Sequence, residues 1–192
     1  MDRKLQKKFE HGLYRAEFVD AMAPLGEDRQ TQFVPYALPE KVASLGARTL
    51  GIFLSEIMNA LEERFGEEVW EIAKKAMYEV GRQRAATMVR TMKIHDLADA
   101  RCLGRIMDLE DNNSGIKGEW VETGKQRAVK REYECPLADP CKKSPKVCSE
   151  LLEALEQGTF DALGVKRRSR VVLTKIMPRG DPYCEVTVEL AE

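Results

Sequence analysis

Apolar positions recur with a helical period through the first 110 residues and with a period of two toward the end of the chain. Leu5, Phe9, Leu13 and Ala16 fall on one stripe, which predicts a helix over 3–20. Pro24 and Gly26 close it, and residues 26–39 read as a connector carrying Pro35 and Pro39. A second helix is expected from Pro39-Glu40 to Phe65. Its apolar positions, among them Leu50, Phe53, Leu54, Ile57, Met58, Leu61 and Phe65, make a stripe wide enough to face a core. Val69, Ile72, Ala73, Ala76, Met77 and Val80 predict a third helix over 67–92. A fourth is expected over 96–110, with Asp96 as its N-cap and Asp111-Asn112-Asn113-Ser114-Gly115 as the turn after it.

Beyond that turn the period changes. Residues 116–122 and 125–134 read as strands, the second blurred by its charges. The stretch from Cys135-Pro136 to Pro140-Cys141 reads as a loop, and Leu151, Leu152 and Leu155 predict a helix over 149–163. Residues 169–177 are rich in β-branched side chains and predict a strand. After a turn at Pro178–Pro182, residues 183–190 alternate cleanly, with Cys184, Val186, Val188 and Leu190 on one face. The expected fold is α+β in a single domain, 1–192. A helical half, 1–112, packs on a small antiparallel sheet in 113–192 that has one inserted helix.

Composition narrows the function. The chain has 192 residues and is 43% hydrophobic, enough to bury a core. Its 31 Lys and Arg against 32 Asp and Glu leave a net charge of -1, so no global field holds nucleic acid or an acidic membrane. No apolar run approaches the roughly 20 residues that span a bilayer. The charged start, Met1-Asp2-Arg3-Lys4, is not followed by an apolar segment, and a cytoplasmic location is expected. The apolar stripes over 50–65 and 69–80 exceed what packing on each other uses, which predicts a homodimer.

Five cysteines stand at 102, 135, 141, 148 and 184. An odd number in a chain expected to be cytoplasmic favours reduced thiols or metal ligands over disulfides. Cys135, Cys141 and Cys148 fall in one short segment with Pro136, Pro140 and Pro145, and Cys184 can add a fourth sulfur. Soft thiolates brought together by a stiff loop suit zinc or an iron–sulfur cluster. The plainer alternative is that these are small buried apolar residues, which suits Cys184 beside Val186 and Val188. A catalytic cysteine would need a lowered pKa and a base. The two histidines are His11, on a charged helix, and His95, at a helix start, and His95 is the candidate base. Lys166-Arg167-Arg168-Ser169-Arg170 can grip a carboxylate or phosphate, or can blunt an edge strand. No GxGxxG, Walker A, HExxH or GxSxG is present, which speaks against dinucleotide enzymes, P-loop enzymes, zincins and α/β-hydrolases.

The order Tyr133-Glu134-Cys135-Pro136-Leu137-Ala138, then Cys148, then Gly180-Asp181-Pro182-Tyr183-Cys184-Glu185-Val186 resembles the L-2-amino-thiazoline-4-carboxylic acid hydrolase family over residues 116–192. The closing hairpin is also similar to vinyl-reductase-type small-molecule-binding domains. The resemblance implies hydrolysis of a ring carbon–nitrogen bond in a small heterocyclic carboxylate. Cys135 or Cys184 would be the nucleophile or a site residue, and Arg168 or Arg170 would hold the carboxylate. The chain has Val186 where members usually carry phenylalanine, and its loop is denser in cysteine than the family needs. A second class therefore stays open: a binding protein with a metal on Cys135, Cys141, Cys148 and Cys184, or a small ligand between helices and sheet.

Overall fold

The structure, a computed structural model, describes residues 39–92, 96–163 and 169–190. The helix expected over 3–20, with His11, lies outside the described residues, as do His95 and the run 166–168. Of the described residues, those from 47 onward belong to one compact unit and 39–46 fall outside it.

The described elements are α1 (Pro39–Phe65), α2 (Glu68–Met92), α3 (Ala100–Ser114), β1 (Lys117–Thr123), β2 (Arg127–Glu134), α4 (Glu153–Ala162), β3 (Ser169–Lys175) and β4 (Cys184–Leu190). The strands form one antiparallel sheet in the order β1-β2-β4-β3. The α+β class read from the sequence is the class observed.

Local chemistry sets the boundaries. Gly66 ends α1 at φ 81, a backbone region that suits glycine, and its N–H donates to the Glu62 carbonyl at 2.8 Å. The fourth expected helix is displaced along the chain. Asp99, not Asp96, caps α3, its carboxylate accepting from the Arg101 N–H at 2.9 Å. Asp96 accepts from the Ala98 N–H at 2.9 Å in a turn before the helix. At the other end Asp111-Asn112-Asn113-Ser114 is the last helical turn, and Gly115 at φ 70 provides the stop.

Two apolar clusters form the core. One joins α3 (Leu103, Ile106, Met107) and α4 (Phe160) to β2, β3 and β4 through Ala128, Val171, Val186 and Val188. The other gathers Met58 and Trp70 with Leu137, Val147, Leu151, Ile176 and Cys184. Between α2 and α4 the backbones touch. A Cβ on Gly81 would lie 2.0 Å from the Leu155 carbonyl oxygen, and one on Gly158 would lie 2.0 Å from that of Tyr78. Only glycine allows that approach.

The broad stripe on α1 does not all turn inward. Met58 is buried and Leu54 packs on the second cluster, but Phe53 is 60% exposed and Ile57 55%. One side of α1 meets the core of this unit, so a stripe broader than that side leaves apolar residues at the surface.

The outer edge of β3 is covered by side chains of α4. Gln157 accepts from the Val171 N–H at 3.0 Å and donates to the Ser169 carbonyl at 2.9 Å, and Glu153 accepts from the Leu173 N–H at 2.9 Å. These contacts fill main-chain positions that a fifth strand would otherwise take.

Candidate functional site

The Cys-Pro loop leaves β2 and runs through a 3-10 turn, Pro140–Lys143, into a π-helical turn, Val147–Leu152. The Cys141 N–H donates to the Leu137 carbonyl and the Cys148 N–H to that of Pro145, at 3.0 and 3.1 Å. These turns fold Cys141 and Cys148 into the second apolar cluster. Cys184 enters the same cluster from the start of β4, and Cys135 packs against it from the end of β2. The β4 alternation is as the sequence expects, for Cys184, Val186, Val188 and Leu190 are all buried. Four of the five cysteines therefore come together, while the fifth, Cys102, packs on the other cluster from α3. All five are free thiols.

Their electrostatics show how closely they sit. Cys148 donates a hydrogen bond to Cys141, which holds the Cys141 thiol below its usual value, with Ser55 adding to the effect. The same bond, then burial, then the charges of Cys141, Cys135 and Cys184 push Cys148 far upward. Burial pushes Cys135 up to about 12, against the N–H groups of Leu137 and Ala138. Burial likewise pushes Cys184 up to about 11, against the Met177 N–H, which donates to its sulfur at 3.4 Å. Cys135, Cys148 and Cys184 thus keep their protons near neutrality unless a cation enters among them. Among the described residues, no group of three or more His, Cys, Asp or Glu is placed so that it could hold a metal ion.

Beside the thiols lies a second polar cluster. β2 turns Ala128, Lys130 and Glu132 toward the helices, and all three are buried. The Lys130 ammonium reaches Asp108 and Asp111 of α3, both at 2.6 Å. Arg84 of α2 pairs with Glu156 of α4 at 2.7 Å and with Glu110 of α3, and it donates to the Thr159 hydroxyl at 2.8 Å. Burial, then repulsion from Glu156, raises the Glu110 carboxyl well above its usual range despite Arg84. Burial also raises Asp111 against the pull of Lys130. Glu132, opposite Cys184 in the β2–β4 register, is pushed up to about 8, first by burial and then by the charge of Asp111.

The carboxylate cluster borders a cavity of about 470 Å³, which none of the cysteines lines. Its apolar wall includes Met88, Met107, Leu137, Leu155, Leu173 and Val186, and its polar end is formed by Arg84, Glu110, Glu132 and Glu156. Volumes of about 300–1,000 Å³ with apolar walls and a few convergent polar groups are typical of small-molecule sites.

The expected site residues thus divide. Cys135, Cys141, Cys148 and Cys184 are brought together. Arg170 is exposed and lines a separate polar groove with Lys74, Tyr78 and Gln157, and the structure does not bring it to the thiols. His95 and Arg168 lie outside the described residues. Sequence reasoning missed Arg84, Glu110, Glu132 and Glu156. The available signal was a charge on an otherwise inward stripe: Arg84 falls on the same α2 face as Met77, Gly81 and Met88.

No family model matches the chain, and no curated protein is similar to it in sequence. Among solved structures, trafficking protein particle complex subunit 3 from Naegleria fowleri, solved covalently bound to palmitic acid, superposes with a TM-score of 0.56 and 15% identity, over 77% of this chain and 96% of its own. The phenol-responsive sensory domain of the transcription activator PoxR, solved with phenol, gives a TM-score of 0.48 and 12% identity, over 75% of this chain and 74% of its own. At 15% identity the first likeness shows a shared α+β fold. No helix among the described residues is long and apolar enough to cross a membrane.

Proposed function

We propose that this chain is a small-molecule-binding domain whose ligand occupies the cavity between the helices and the sheet. The observation that carries this reading is the cavity itself: about 470 Å³, apolar on most of its wall and polar at one end. The shared fold adds support, because the trafficking subunit of similar architecture was solved with an apolar acyl chain bound. The test is binding of the neutral fluorophore N-phenyl-1-naphthylamine to the full chain. Saturable enhancement that is lost in Leu155→Trp, a variant that fills the cavity, is expected. Absence of binding, or equal binding by that variant, overturns the reading.

A second reading has the loop thiols and Cys184 hold zinc or an iron–sulfur cluster; the four gather in one apolar cluster, but they would have to move closer, since no three of the described residues are placed to hold a metal ion. All four donors are soft, and binding would take the protons that burial otherwise keeps on Cys135, Cys148 and Cys184. Metal analysis and the absorption spectrum of anaerobically purified protein test it, with Cys148→Ser as control. A metal-free, colourless protein overturns it. Hydrolysis of a carbon–nitrogen bond by a cysteine nucleophile draws less support from this geometry. Burial raises Cys135 and Cys184, and Cys141, whose thiol is held low, is fully buried.

A further inference from the structure

The polar end of the cavity has more acids than partners. Lys130 is engaged by Asp108 and Asp111, and Arg84 by Glu110 and Glu156. The described residues that line the cavity include four carboxyl groups, Glu110, Asp111, Glu132 and Glu156, and one cation, Arg84. Among the described residues Glu132 is the cavity carboxylate with neither an ion pair nor a hydrogen bond: it is 6% exposed and lines the wall. Glu156, paired with Arg84 through one oxygen, leaves its other oxygen without a partner. A buried polar group without a partner is costly, and one at the wall of a ligand-sized cavity finds its partner in the ligand.

We propose that the cavity takes a small ligand with an apolar body and a basic, amine-type head, and that Glu132 receives that head. This inference rests on the small-molecule reading above and names its ligand class. The body lies along the wall of Met88, Met107, Leu155 and Val186, where the flexible thioethers adapt to its shape. The head supplies the donor that Glu132 lacks. A carboxyl and an amine there share one hydrogen bond and one proton, wherever the proton rests. An anionic head of the same size would meet Glu132, Glu110 and Glu156 together and be rejected.

The test is isothermal titration of the full chain with 2-phenylethylamine, 2-phenylethanol and 3-phenylpropanoate at neutral pH. The amine is expected to bind about tenfold or more tighter than the alcohol, and the carboxylate not to bind. Glu132→Gln is expected to reduce amine affinity about tenfold, to keep alcohol affinity, and to leave any bound metal in place. If the alcohol binds as tightly as the amine, the cavity reading stands and the inference fails. If none of the three binds and the neutral fluorophore also fails, both fall. Binding of the carboxylate, unchanged amine affinity in Glu132→Gln, or loss of metal from that variant each overturns the assignment to Glu132. The selectivity of the unaltered chain keeps the test decisive even where the variant does not fold.

Discussion

The helix-facing side of the sheet carries two polar clusters built on opposite principles. At the thiol end the polar atoms are weak and mutually close, Cys135, Cys148 and Cys184 holding their protons tightly, and they sit in an otherwise apolar core with Leu137, Val147 and Leu151. At the carboxylate end the groups are strong, and almost every one is answered by a cation on a neighbouring element. The thiol cluster therefore costs little when empty and can be completed by a soft cation. The carboxylate cluster stays intact only while Lys130 and Arg84 remain in place. One region is tolerant, whereas the other is held from within by its two cations, with Glu132 outside those ion pairs and one Glu156 oxygen also lacking a partner.

That contrast breaks most visibly at Lys130. Lys130→Met leaves Asp111 buried without its cation, and a loss of about 3–5 kcal/mol is expected in urea denaturation. A loss under about 1 kcal/mol would show that water already reaches this end. At the thiol end, Cys148→Ser is expected to cost a few kcal/mol if the four sulfurs hold a metal, with the bound metal falling to about a tenth or less. In a chain stripped of metal by a chelator the same change should be small. A melting temperature that ignores both the chelator and the substitution would make the cysteines ordinary core residues.

Glu132 tests the border between the regions by its pH dependence. Its carboxyl moves from an ordinary 4.5 to about 8 on folding, so between these values the folded chain holds more protons than the unfolded one. Stability contributed by this group is complete below the unfolded value and is lost as pH rises through the folded one. In the ligand-free, metal-free protein, Glu132→Gln should flatten the fall in stability between about pH 5 and pH 8 and be the more stable form at pH 8, by a few kcal/mol at most. Glu110 and Asp111 have the same sign and leave part of the slope behind. An unchanged slope would mean that Glu132 is ionised and solvated. The smallest effect is expected where neither cluster is touched. Phe53→Ser with Ile57→Ser on the exposed face of α1 should change stability by about 0.5 kcal/mol or less. If the expected homodimer forms through this face, light scattering will give a dimer for the unaltered chain and a monomer for the variant. A monomer in both ends that expectation.

The same contrast explains what could be read in the sequence. β4 was legible because its inward residues are Cys184, Val186, Val188 and Leu190, which alternate with polar ones. β2 was blurred because its inward residues are Ala128, Lys130 and Glu132, so the pattern shows charge where apolar residues are expected. A charge belongs inside only when a partner waits on another element, and Asp108 and Asp111 are about twenty residues away along the chain. The thiol site was legible in part, because Cys135, Cys141 and Cys148 cluster in sequence. Cys184 joins them only through the β2–β4 pairing that sets it opposite Glu132. The end of α3 was misplaced because Asp111-Asn112-Asn113-Ser114 has the composition of a turn, while only Gly115 takes the left-handed conformation that stops the helix.

The side chains along β3 bear on how these molecules behave together. Gln157 imitates a peptide group, offering one donor and one acceptor to Ser169 and Val171, and Glu153 takes the next free amide at Leu173. The strand is thus provided with a substitute neighbour made of side chains. A bare edge invites any extended chain to add itself, which is the first step toward fibrils and strand exchange. On this side the sheet is closed to such recruitment for as long as α4 stays docked. At the opposite margin β1 meets solvent with Lys117, Glu119 and Glu122 and two irregularities in its pairing, so charge and distortion discourage addition there. A four-stranded sheet guarded in these two ways stays four strands wide even in a crowded solution.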